Sequence, residues 1–338
     1  MHEIDLSKYR IRTDLIIEHL GDYKECKKNE EVYKNIKIET INLDKKEATI
    51  ISKKEGIYKT IYFEDVTDEE NFNNLLKAMI KALKDIYKAI NIKDNDSVLI
   101  VGLGNRKATP DALGPITVES IKITRQIVEL GLPLDNKYRI ISALSPGVMG
   151  TTGIETKEII EGIIEKTKPD FLIVIDALAA SSLERINKTI QITDTGIHPG
   201  SGLLNNRFEI SKETLNIPVI AIGIPTVVDA TTIVSNTINY IFRHFSYEKE
   251  NINNPKIKLI PQFNRDYKNH DKTLEKHERE EIMGLIGNLE EDEIKALITE
   301  VLTPLGYNLL VTPKEIDFII EKLSKLLAEA LNKSLELN

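Results

Sequence analysis

Two carboxylates in this sequence stand where an apolar strand gives way to polar chain, and both occupy the same word, Asp-Ala-Leu. Asp111 lies in Ser97–Pro115, SVLIVGLGNRKATPDALGP, where an apolar run ends in a glycine pair and a polar loop brings the acid to the mouth of a helix. Asp176 lies in Phe171–Ala180, FLIVIDALAA, directly against five apolar residues. A charge in that position is costly unless it is paired or used. Ligands of open α/β sheets bind beyond the C-terminal ends of the strands, so the two acids are expected to meet there. Two carboxylates at one cleft can share a proton, one acting as general base on water and the other as general acid. The chemistry such a pair points to is hydrolysis. For Asp111 taken alone, stabilising a helix dipole is the competing use.

The loops around these acids extend the candidate cleft. Gly102-Leu-Gly104 after a strand invites a dinucleotide fingerprint, but Lys107 stands where the third glycine belongs and Thr109-Pro110 interrupts before the helix, so the glycines are read as turn formers. Turn-rich segments follow three further strands: Ser145–Gly153, Thr193–Gly202 and Ile224–Asp229. On a parallel sheet such loops share one rim, which makes Asn105, Gly150, His198 and Asp229 candidate cleft residues, with Asp194 a further carboxylate. Asp111, Asp176 and His198 are also an oxygen and imidazole set that could ligate a metal. Serine, cysteine and nucleotide chemistry lose ground: there is no GxSxG elbow and no P-loop, and the single Cys26 lies in a polar N-terminal stretch. His277-Glu278 does not complete HExxH.

The elements that must position these residues follow from periodicity. Ile36–Leu43 and Ile57–Phe63 alternate with period two, with Ala48–Ser52 between them, and read as an antiparallel meander. Thr67-Asp-Glu-Glu70 is a capping box opening a helix with the stripe Phe72, Leu75, Leu76, Met79, Leu83, Ile86, Tyr87 and Ile90. Strands then alternate with helices: Val98–Leu103, a helix Pro115–Leu130 stopped by Gly131, Arg139–Leu144, a helix Ile154–Lys166, Phe171–Ile175, a short edge-like Thr189–Ile192, Pro218–Ile222 and a helix from about Thr231 to Phe242. Residues 245–275 read as a long surface loop, followed by helices near 275–288, 291–302 and 313–335. The pattern predicts an α/β fold, a mostly parallel sheet with helices on both faces, plus an N-terminal antiparallel meander and C-terminal helices.

The balance of 45 basic against 53 acidic residues, a formal charge of −8, argues against a broad basic face for nucleic acid. One cysteine cannot build a disulfide framework, which fits a reducing, cytosol-like compartment. No N-terminal apolar region and no apolar run near the ~20 residues of a membrane span occur, so the expectation is a soluble, non-exported protein.

Several words together resemble the germination protease (spore protease) family of endospore-forming bacteria: Ile11–Leu15, Val101–Asn105, Thr109–Pro115, Pro146–Gly150, Val174–Ala179, His198–Gly202, Ile224–Asp229 and Val311–Glu315. The resemblance covers essentially the whole chain except the Asn-rich 245–275 segment. It implies an atypical aspartic endopeptidase that degrades small acid-soluble spore proteins during germination, with Asp111 and Asp176 as its essential aspartates and no cofactor. It implies a fold similar to hydrogenase-maturation peptidases, a homotetramer, and a cytoplasmic place in the forespore or spore core. It also implies a zymogen that removes residues 1–14 by cutting Asp14–Leu15, leaving 15–338 as a single peptidase domain with a helical extension from about 275. The acid-then-apolar form of Thr13-Asp14-Leu15-Ile16 matches the bonds cut in the family's substrates. Thr151 and Ser181 depart from the family words, which carry Gln and Arg there. A metal-dependent peptidase on the same fold and a non-enzymatic binder of spore proteins are the rival readings.

Overall fold

A computed structural model describes residues 15–20, 28–135, 137–198, 209–254, 260–261, 267, 270, 272–302 and 309–337. Asp14, Cys26 and the Pro199–Gly202 end of the His198 word lie outside the described residues.

A short helix, α1 (Ile16–His19), precedes the meander β1 (Lys28–Tyr33), β2 (Ile36–Leu43) and β3 (Gly56–Tyr62), whose strands pair antiparallel in sequence. The stretch between β2 and β3 is helical rather than extended: α2 (Lys45–Ile50) is nucleated by a capping box in which Asp44 accepts from the N–H groups of Lys46 and Glu47 while Glu47 reaches back. Helix α3 (Glu69–Ala89) begins one residue later than the sequence suggested, because Asp68 caps the Asn71 N–H and Thr67 is held by Asp65. Its expected stripe is buried at Leu75, Leu76, Met79, Leu83, Ile86 and Tyr87.

The alternating part follows: β4 (Val98–Gly102), α4 (Leu113–Glu119), α5 (Arg125–Glu129), β5 (Ile141–Leu144), α6 (Met149–Thr152), α7 (Thr156–Thr167), β6 (Phe171–Ala180), β7 (Thr189–Thr193), α8 (Lys212–Leu215) and β8 (Val219–Asp229). The single helix expected over Pro115–Leu130 is two short ones. Thr124 breaks it, since its backbone N–H and hydroxyl are engaged by Ile141 and Arg139 at the entry to β5. β7 is internal rather than an edge, because the meander docks on it through β3 while β8 pairs on its other side.

The strand order is β1-β2-β3-β7-β8-β6-β4-β5. β5, β4 and β6 are parallel, and β1 to β3, β7 and β8 pair antiparallel in turn. Period-two alternation sorts the strand side chains into two cores, one on each face. Ile100, Phe171, Ile173 and Ile222 pack with α3 and the C-terminal helix α12 (Ile316–Ser334). Leu99, Val101, Leu172 and Val174 pack with Ile160 of α7. Helices therefore cover both faces, as the two-sided apolar strands indicated.

The chain divides into two compact units, residues 12–227 with 312–338, and residues 228–311. In the smaller unit α9 (Ala230–Glu250) packs against α11 (Glu291–Leu302), and α10 (Lys276–Met283) is held to α9 by the ion pair Lys249–Glu278. The segment expected as a loop from 245 is thus helical to Glu250. The two-residue β9 (Leu310–Val311) pairs with Val228-Asp229. Among the described residues no helix is long and apolar enough to cross a membrane.

Candidate active site

The strand order β5-β4-β6 puts β4 between the two strands that follow it. The connection leaving β4 packs Leu113 and Ile121 into the α3 core, whereas the connection leaving β5 packs Ile160 into the opposite core. The two crossovers diverge to opposite faces, the arrangement found at the topological switch point of an open α/β sheet, where ligands bind beyond the C-terminal strand ends. Asp111 lies on the connection leaving β4, and Asp176 lies on β6.

The β4 loop is built by close backbone approach. A side chain on Gly102 would strike the Gly114 carbonyl oxygen at 2.2 Å, so the glycine lets the first turn of α4 press onto the strand. Gly104 has φ +113°, and a Cβ there would lie 2.0 Å from the Asp111 carbonyl oxygen. The loop folds back on itself at that point and presents Asp111 at the end of a turn of 3-10 helix, Thr109–Asp111. The Asn105 N–H donates to Asp111 Oδ2 at 2.8 Å and fixes the carboxylate's direction. This is why the glycine pair exists without a phosphate-binding fingerprint.

Asp176 is the sixth of ten residues in β6, which runs past the end expected at Ile175. Its neighbour on β4 nevertheless stops there. Gly102 pairs with Ile175, and the Leu103 N–H donates to the Ile175 carbonyl at 2.8 Å. Asp176 is therefore the first β6 residue beyond the β4 ladder, a position at the rim reached without ending the strand. By alternation it continues the Leu172–Val174 row. It is 6 % exposed, and its Oδ1 accepts the Ala177 N–H at 2.9 Å. The Asp111 turn packs against β6, the strand that carries Asp176.

A residue the sequence reading missed secures this turn. Thr226 of β8 is buried and its hydroxyl donates to the Pro110 carbonyl at 2.7 Å, while its own carbonyl accepts from the Thr312 hydroxyl at 3.0 Å. Its turn-rich surroundings suggest a loop over Ile224–Asp229, whereas β8 runs on to Asp229. Pro225 does not break it: lacking an N–H, it still accepts the Asn187 N–H through its carbonyl.

The remaining candidates are placed differently. Gly150, in α6, follows β5 and so stands on the same rim, with open space around its Cα. His198 is exposed and lies 3.6 Å from Glu209. Asp194 accepts the Ile57 N–H at 2.7 Å, and burial pushes its carboxyl above the usual range. Asp229 belongs to the smaller unit, where it caps α9 through the Thr231 and Thr232 N–H groups. Among the described residues no three His, Cys, Asp or Glu side chains gather as a metal-binding group.

The family model described as germination protease matches residues 10–338. Germination proteases of Bacillus subtilis (strain 168) and Geobacillus sp. (strain WCH70) are 44 % and 46 % identical, each alignment covering 98 % of this chain and 95 % of the relative. A crystal structure of the [NiFe] hydrogenase maturation protease HycI from Thermococcus kodakarensis KOD1 aligns over 43 % of this chain and 80 % of its own, at a TM-score of 0.28 and 20 % identity.

Proposed function

The chain belongs to the germination protease family, peptidases of spore germination, and we propose that it hydrolyses peptide bonds with water activated between Asp111 and Asp176. The observation that supports this reading is the packing of the Asp111 turn against β6, the strand that carries Asp176 just beyond the β4 ladder. One carboxylate takes a proton from water as it attacks the carbonyl carbon, and the other delivers a proton to the departing amine. The Asn105 N–H keeps Asp111 in place, and the turn beneath it is pinned by Thr226. Backbone N–H groups of the glycine loop are the natural donors for the oxyanion.

The substrates are small acid-soluble spore proteins, cut after an acidic residue that precedes an apolar one. The same activity removes residues 1–14 at Asp14–Leu15, converting a zymogen into the working enzyme, which acts as a homotetramer in the spore core without a cofactor. Leu15 is fully buried, so this bond is cut only after the segment has lifted locally from its seat.

Incubating the protein with one small acid-soluble spore protein and sequencing the new N-termini tests the proposal. The wild type yields termini that follow acidic residues, and its own chain begins at Leu15. Asp176→Asn keeps its fold and assembly but does neither. Normal cleavage by that variant would sink the two-aspartate reading.

A further inference from the structure

The segment that follows Asp14 is built into the larger unit. Leu15 and Ile16 are fully buried, and Ile16 and Leu20 pack with Ile41, Leu43, Ala48, Ile51 and Tyr58. The Ile16 N–H donates to Oε1 of the buried Gln191 on β7 at 2.7 Å.

Glu18 makes the more consequential contact. Its side chain is 2 % exposed, with Oε1 3.1 Å from Nε of Arg185, while Oε2 accepts the Ser181 N–H at 2.9 Å. Ser181 directly follows the last residue of β6, the strand that carries Asp176. A carboxylate removed from water this completely is costly unless it is paired and hydrogen-bonded, and both partners here belong to the β6 exit. Glu18 thus joins the N-terminal segment to the active strand.

A second geometric fact concerns the chain end. The Glu18 N–H donates to the Leu15 carbonyl at 3.2 Å, closing one turn. Glu18 stands three residues after Leu15, the spacing at which an acidic side chain reaches back to the backbone nitrogen of the residue that starts the turn. In an uncut chain that nitrogen is an amide. Hydrolysis of Asp14–Leu15 breaks the C–N bond, places the water's hydroxyl on the Asp14 carbonyl carbon and leaves Leu15 as an amine, which is protonated at neutral pH.

We propose that Glu18 is a positioning residue for the Asp176 strand, and that the Leu15 ammonium released by processing pairs with its carboxylate and tightens that hold. This rests on the reading of Asp14–Leu15 as the processing bond and of Asp176 as a catalytic group. Removal of residues 1–14 then supplies a charge that sets the end of β6.

The test uses the chain made to begin at Leu15 through a removable fusion, beside the same chain with Gly-Ser ahead of Leu15. Both are assayed on a small acid-soluble spore protein. The Leu15 end is expected to give a kcat about tenfold higher at similar KM, the size of one charge-assisted hydrogen bond. In Glu18→Gln the two ends give the same kcat, because the partner charge is gone; this non-additivity separates ion pairing from a steric effect of the extension. Equal kcat for the two ends with Glu18 intact, or an undiminished difference in Glu18→Gln, would overturn the proposal.

If Glu18→Gln does not fold, the ratio of the two native chains across pH replaces it. The ratio should fall towards one as the α-amine deprotonates above about pH 8, and a constant ratio from pH 6 to 10 refutes the pairing. The tyrosines near this seat lie above the usual range, since burial raises Tyr58 and pushes Tyr62 up to about 12; the charged groups beside them are Arg185, which faces Glu18, and Glu39, which pairs with Lys28. Because both chains start at or near Leu15, the comparison needs no self-processing. Failure of the two-aspartate reading shows separately, as cleavage by Asp176→Asn.

Discussion

Replacing Gly104 with alanine should disable the site while leaving most of the fold intact, and the size of the effect follows from the loop geometry. Two costs add. The φ of +113° is one that L side chains rarely adopt, a backbone strain of roughly 1–2 kcal/mol. The new Cβ would also stand 2.0 Å from the Asp111 carbonyl oxygen, where real contacts stay at or beyond 3.0 Å. The loop must therefore open by at least about 1 Å, the difference between those distances. The obstacle is backbone rather than a flexible side-chain end, so the displacement falls on Asp111 itself. A misplacement of about 1 Å at a catalytic group lowers turnover on the order of 100-fold. The expected outcome is a loss of about 2–4 kcal/mol in urea unfolding and roughly 100-fold in kcat on a spore protein. Gly131→Ala is the control: φ is +68° there, but nothing lies within 4 Å, so about 1 kcal/mol is lost and kcat stays unchanged. A Gly104→Ala enzyme within about threefold of wild-type kcat would refute the argument that this contact sets the position of Asp111.

Thr226→Val keeps the side-chain shape but removes the donor to the half-buried Pro110 carbonyl; it should cost about 1 kcal/mol in denaturant unfolding and lower kcat roughly tenfold without moving KM. The Lys54 ammonium hydrogen-bonds Glu213 and holds its carboxyl down at about 2. That depressed value means the stabilisation is complete above the ordinary 4.5 and is lost as pH falls towards 2, so Lys54→Met should reduce the acid-side slope of stability in thermal melts recorded between those pH values.

What the sequence disclosed depended on whether the deciding interaction was local. Asp176 stood out because five apolar residues abut it, and its neighbourhood is what that pattern implies. The glycine pair read correctly as a turn because the third fingerprint glycine is missing, although its partners, Asp111 and Gly114, are visible only in the folded loop. The helix at Lys45–Ile50 could have been found, since Asp44 and Glu47 hold capping-box spacing, but the flanking strands made the stretch between them look extended. The internal place of β7 was not legible, because five residues carry no mark of which strands will flank them. Thr226 was hidden for the same reason: its role is a hydrogen bond to a residue 116 positions away.

The length of β6 shows how the site reconciles two demands. The parallel ladder with β4 stops at Gly102–Ile175, which leaves that side of Asp176 unladdered, yet the proposed catalytic role of Asp176 needs rigid backbone on both sides. The second demand is met by β8, β6's other neighbour in the sheet, where Gly223 leaves room for the Leu178 side chain: a Cβ there would lie 2.3 Å from the Leu178 Cδ1. Asp176 is thus carried on a strand supported from one side and open on the other. A strand that ended at Ile175, as the sequence suggested, would have left the acid on a free loop. The continuation through Ala177–Ala180 also brings Ser181 within reach of Glu18, so the element that stiffens Asp176 is the one through which the N-terminal segment can act on it.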